Sequence, residues 1–168
     1  MLLLILGCWG GPGCEPVTET AITFTRDDGA TDTLHEADEF PGGPAFYQDD
    51  GTVDHGIIGV AEETGGDWLN VALQAGGAGV GDTCRDWNHA NSTGICGWFE
   101  LSGEVADDEG DELFGTDAWD HDDGTICIAE IRDEPEGWYL SFTLESDLSL
   151  GGTGLTIEGS VLDAFTAK

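Results

Sequence analysis

The chain has 168 residues, enough for one domain with a substantial core, and 39% of them are hydrophobic, including six Trp and seven Phe, which excludes a disordered polymer. Thirty-five acidic residues face four basic ones (Arg26, Arg85, Arg132 and Lys168), for a formal net charge of −31. A field of that sign repels phosphate backbones, so nucleic acid is excluded as a partner, while cations and basic ligands are favoured. A secreted protein kept soluble by surface carboxylates, or one adapted to high salt, has the same composition.

The chain opens with "MLLLILGCWGGPGCEP". An apolar run from Leu2 to Leu6 ends in Gly7-Cys8, and a Gly/Pro-rich tract follows. No Lys or Arg precedes the run, and it is far too short to span a bilayer. Ile5, Leu6, Gly7 and Cys8 resemble the lipobox of bacterial lipoproteins, in which an apolar residue, a tolerant position and a small residue precede the cysteine that takes lipid. The resemblance implies cleavage before Cys8, acylation of Cys8, and an envelope or surface location anchored to a membrane. It covers only the N-terminus and implies nothing about the fold. The expected organisation is a signal segment over 1–7, a tether over 8–18 and one β-rich domain over 19–168.

With Cys8 assigned to lipid, Cys14, Cys84, Cys96 and Cys127 remain, an even number that allows three pairings. Export implies disulfides. Cys84 and Cys96 flank the polar loop "RDWNHANSTGI" and form the expected pair, which leaves Cys14 with Cys127 by elimination. One histidine, His89, between two cysteines lacks the second ligand pair of a zinc site.

Beyond the tether the dominant period is two, the signature of half-buried strands. "AITFTRDDGATDTLH" reads as a hairpin bent at Asp28-Gly29. "GIIGVA" and "GWFELSG" are short members of the same class, and "WLNVALQ" aligns Leu69, Val71 and Leu73. "GEVADDEGDELFG" has no apolar repeat at helical spacing and reads as a long solvated loop. Near the C-terminus, "WYLSFTLE" places Trp138, Leu140, Phe142 and Leu144 on one face, and "LTIEGSV" aligns Leu155, Ile157 and Val161. The expected fold is all-β: an antiparallel β-sandwich or small β-barrel of roughly eight short strands.

Asp-Asp-Gly occurs at Asp27–Gly29, Asp49–Gly51 and Asp122–Gly124. Asp-Gly suits a two-residue hairpin turn with positive φ at both central positions, and that rule accounts for all three copies. The third copy, in "DHDDGTICIAEI", also invites comparison with a calcium loop. Anchoring an EF-hand glycine on Gly124 puts Trp119 and His121 where two oxygen ligands are required, so the EF-hand fails. A looser calcium site drawing on Asp117, Asp120, Asp122 and Asp123 is the alternative to the turn.

Catalytic signatures are weak. "HEADE" has Glu39 where a zinc-protease motif needs its second histidine. The chain carries no nucleophile elbow and no phosphate-binding or dinucleotide glycine loop, and no carboxylate pair stands out, so no catalytic residue is nominated. Trp87, His89 and Trp119 are the candidate ligand contacts. The sequence therefore leads to an exported acidic lipoprotein with a non-enzymatic binding or structural role and no cofactor. A calcium- or carbohydrate-binding module and a small secreted hydrolase are the alternatives.

Overall fold

A computed structural model describes residues 14–35, 47–49, 52–61, 66–78, 83–85, 98–115 and 120–167. The protein is all-β. Its described residues form two antiparallel sheets that pack as a β-sandwich. The strands are β1 (Ala21–Arg26), β2 (Thr31–Leu34), β3 (Tyr47–Asp49), β4 (Thr52–Ala61), β5 (Trp68–Ala78), β6 (Thr83–Arg85), β7 (Trp98–Ala106), β8 (Glu112–Gly115), β9 (Asp120–Glu134), β10 (Gly137–Leu150) and β11 (Thr153–Ala167). One sheet has the order β2-β1-β11-β10-β9-β6 and the other β3-β4-β5-β7-β8. The described residues contain eleven strands. Strands of three or four residues, such as β3 and β6, are too short to reveal an alternation, and β9, β10 and β11 run for 15, 14 and 15 residues.

Alternation sorts the faces as read from the sequence. Ile22, Phe24, Ile126, Ile128, Phe142, Leu144, Leu155, Ile157 and Val161 of the six-stranded sheet are buried, and they meet Leu69, Val71, Phe99, Leu101, Val105, Leu113 and Phe114 of the other. Each fully buried aliphatic or aromatic side chain contributes about 1.5–3 kcal/mol, which makes this layer the main source of stability. Arg26 also ties the sheets together, its Nη1 donating to Glu112 O at 3.1 Å. At the rim of the sandwich the Asp67 carboxylate accepts from Ala106 N–H at 3.2 Å. Burial pushes the Asp67 carboxyl above its usual range, the Ala106 bond opposes this, and the charge of Asp32 reinforces it.

The three Asp-Asp-Gly copies turn out to do different things. The first bends the β1–β2 hairpin as expected, but through a three-residue loop. Gly29 N–H donates to Arg26 O at 2.8 Å, Arg26 N–H donates to Ala30 O at 2.9 Å, and only Gly29 has positive φ (93°). That is a type I turn followed by a left-handed glycine, not the two-residue turn. Asp27 adds a clamp, its Oδ2 accepting from Gly154 N–H at 2.8 Å. "DDEGD" at 107–111 repeats the same loop, with Gly110 at φ 85° and the Asp107 carboxylate accepting from Glu109 and Asp111 N–H. The expected long loop is therefore the end of β7, a tight turn and β8. For the second copy, Asp49 pairs with Thr52, which leaves a two-residue link.

The third copy is not a turn. Asp122 to Gly124 lie inside β9, whose pairing with β10 continues back to Asp120. Asp123 pairs with Asp147 and His121 with Leu148, so Asp122 is the extra residue of a β-bulge. Gly124 serves close packing here: a Cβ would lie 2.8 Å from Phe99 Cζ and 3.0 Å from Ser146 Oγ. A bulge keeps the strand running where a turn would end it.

Cys14 and Cys127 are joined by a disulfide, with Cα atoms 5.5 Å apart. Cys127 stands between the buried Ile126 and Ile128, so it projects from the outer face of the six-stranded sheet. From there the chain crosses that face. Ser160 Oγ donates to Glu19 O at 2.8 Å, and Leu162 N–H donates to Thr20 Oγ1 at 3.0 Å before β1 begins. Residues 14–18 thus form a strap between the disulfide and these contacts. Closing a loop with a sequence separation of 113 contributes about 4–5 kcal/mol in the chain-entropy account.

The two glycines separate by substitution. Gly29→Asn is expected to be nearly silent, because asparagine tolerates the left-handed region and nothing lies within 4 Å of the added atom. Gly29→Val should cost about 1–3 kcal/mol through strain alone. Gly124→Asn should cost at least as much through overpacking against Phe99, on the order of 1–3 kcal/mol. Denaturant melts of the three variants provide the check, and equal effects for the two asparagine variants would contradict the assignment.

Candidate functional site

The outer face of the six-stranded sheet presents hydroxyls and carboxylates in rows set by strand register. The middle row runs Thr33, Thr23, Glu158, Glu145, Thr125 across β2, β1, β11, β10 and β9, with Arg85 of β6 next in register. A neighbouring row runs Thr31, Thr25, Thr156, Asp147, with Asp123 of β9 next in register. Threonine suits both roles, because its β-branched stem favours the strand and its hydroxyl faces water.

An open trough of about 420 Å³ lies on the middle row, lined among others by Thr23, Thr125, Thr143, Glu145 and Glu158. A smaller hollow of about 120 Å³ adjoins it at Thr125, Glu145 and Asp147. Thr23 and Thr33 share a hydroxyl hydrogen bond of 3.0 Å, and Thr156 Oγ1 donates to Asp147 Oδ1 at 2.9 Å. Glu145 and Glu158 stand directly opposite each other on β10 and β11. Like charges in that relation destabilise a sheet. Both are exposed, so water and salt absorb much of the repulsion. The arrangement offers hydrogen-bond acceptors to a cation or a polyol.

A second polar cluster sits at the other end of β9–β11. Arg132 Nη2 meets Asp163 Oδ1 at 2.6 Å, and its guanidinium lies 4.7 Å from the centre of the Tyr139 ring. The hydrogen bond to Asp163 raises the Arg132 pKa. Asp163 has φ 54°, in the left-handed region, where the β10–β11 register shifts. The buried Ser141 Oγ accepts from Asp163 N–H at 3.0 Å and donates to Asp163 Oδ1 at 3.4 Å. That hydroxyl is occupied in holding the bulge, so the cluster reads as a brace.

Of the residues singled out from the sequence, Cys14 and Cys127 are brought together. Cys84 lies in β6, in register with Ile126. Asp120, Asp122 and Asp123 open β9, with Asp120 in register with Ser149. Cys8, Trp87, His89, Cys96, Asp117 and Trp119 lie outside the described residues. Among the described residues no three His, Cys, Asp or Glu side chains gather as a metal site. The trough carboxylates were not among the expected residues, although a signal for them exists. Folding the chain at Gly151-Gly152, where Leu150 pairs with Thr153, makes Glu145 pair with Glu158 and Asp147 with Thr156.

Comparison with protein-family models, with curated proteins and with solved structures returns no match.

Replacing Glu158 by Gln removes half of the facing pair. Its melting temperature should rise above wild type at low ionic strength, by the low end of the about 0.2–1 kcal/mol that cross-strand pairs contribute. In molar salt, where the screening length falls to about 3 Å, the advantage should shrink. A salt-independent gain would point to packing instead of charge.

Proposed function

We propose that this chain is an exported, lipid-anchored β-sandwich that works by binding at the cell envelope or surface and not by catalysis. The Cys14–Cys127 disulfide carries the reading, because such bonds persist in oxidising compartments outside the cytosol. The lipobox-like Ile5–Cys8 sequence six residues earlier supports it from an independent direction. Cys84 and Cys96 form the second disulfide in this proposal. The ligand is cationic or rich in hydroxyls and docks on the Thr- and Glu-lined trough, towards which a net charge of −31 steers cations. Trp87, His89 and Trp119 are proposed as further contacts. Growth with labelled fatty acid should label the wild type and leave Cys8→Ser unlabelled; equal labelling of both would end the anchor reading.

A second reading, a calcium- or carbohydrate-binding module, is favoured by one register fact. Asp123 pairs with Asp147, and Asp120 and Asp122 share the same end of β9. Calcium accepts varied oxygen geometries, and Asp117 would complete that set. Under this reading millimolar calcium raises the melting temperature at physiological ionic strength, magnesium does not, and both Asp122→Asn and Asp147→Asn remove the effect. An equal response to both ions would leave only general screening of the acidic surface.

A further inference from the structure

We infer that the Cys14–Cys127 disulfide makes the outer face of the six-stranded sheet the membrane-proximal face of the protein. The inference rests on the proposal that Cys8 is the lipid-bearing residue. Six peptide steps separate Cys8 from Cys14, so the leash reaches at most roughly 20 Å however it is folded. Among the described hydrogen bonds, the next after Cys14 to hold the chain to the sandwich is at Glu19, whose carbonyl accepts from Ser160. Eleven steps separate Glu19 from Cys8, a reach of roughly 38 Å. The disulfide halves the leash.

It also moves the leash's point of attachment. Cys127 projects from the middle of β9 on the outer face, next in register to Thr143 of β10, which lines the trough. To turn the five-stranded sheet towards the bilayer, the leash would have to pass round a body two sheets thick. The sheets alone are about 10 Å apart, with the side chains of both outer faces and the edge strand β6 to add. A reach of 38 Å allows that detour and 20 Å does not. The acidic face still tolerates this position. Repulsion from anionic headgroups fades over a screening length of about 8 Å at physiological ionic strength, well inside the leash. The trough therefore opens towards the narrow layer between protein and membrane, and its cationic or polyol ligand must be one that enters that layer.

Paramagnetic relaxation measures which face is nearer. The acylated full chain is placed in nanodiscs containing a small fraction of gadolinium-chelate lipid, and fatty-acid incorporation is scored on the same sample. Amides of Thr125, Thr143 and Glu158 should relax several-fold faster than those of Ile58 and Val71, since the sheets lie about 10 Å apart and relaxation by a plane of gadolinium falls steeply with height above it. In Cys14→Ser, with the native amide spectrum retained, the two sheets should become nearly equal. A wild-type ratio near one overturns the inference without needing the variant, and so does an undiminished ratio in Cys14→Ser. Absence of fatty acid overturns the anchor reading, and this inference with it, through a separate signal.

Discussion

The pairing of the first strand with the last holds the rest of the structure in place. β1 inserts between β2 and β11, with Ala21 opposite Ser160 and Arg26 opposite Leu155. This joins the N-terminal hairpin to the long β9–β10–β11 meander and completes the six-stranded sheet. One residue permits the approach: a Cβ at position 159 would collide with the carbonyl oxygen of Ala21, and Gly159 has none. The strap then binds the same region a second time, through Glu19, Thr20 and the disulfide. Contacts so distant in sequence are entropically costly to form, and a covalent link across them offsets part of that cost in advance.

The charge acquires a spatial meaning once the sheets are in place. Among the described residues most of the carboxylates project into water, where their mutual repulsion is screened. Where they approach the protein's own groups, they accept backbone hydrogen bonds: Asp27 from Gly154, Asp28 from Ala30, Asp67 from Ala106 and Asp107 from two amides of its turn. With so few basic side chains, N–H groups are the main donors on hand. Acidity thus builds the turns, and the facing Glu145–Glu158 pair stands apart as a charge arrangement that stability alone does not favour.

Much of the fold was legible along the chain. The alternations around Phe142 and Ile157 put their apolar members in the core, and Leu69 and Val71 follow the same rule. The bend at Asp28-Gly29 was legible as well, because a turn is a property of four or five consecutive residues. The failures share a cause. "DDEGD" has the turn chemistry of "RDDGA", but the strand after it, β8, has only four residues and the stretch is dense in acids, so the surrounding charge obscured it. "HDDGT" has the turn residues, yet β10 supplies partners on both sides of the glycine and the strand continues. A local preference gives way where a neighbouring strand is already present to take the hydrogen bonds.

What the sequence by itself determined is therefore the class of fold, the faces of the longer strands, the first hairpin and the acidic character of the composition. Even the Glu145–Glu158 register was within reach, since a two-residue turn at Gly151-Gly152 fixes every pair along its hairpin. The tertiary structure alone decided which strands became neighbours. It put Thr23 and Thr125 into line with those glutamates and required a glycine beside Phe99, while the Cys14–Cys127 pair, which the cysteine count leaves by elimination, closes across the outer face. Register within a hairpin is set by the few residues of its turn, whereas the order of strands and the path of the strap depend on closing contacts more than a hundred residues apart.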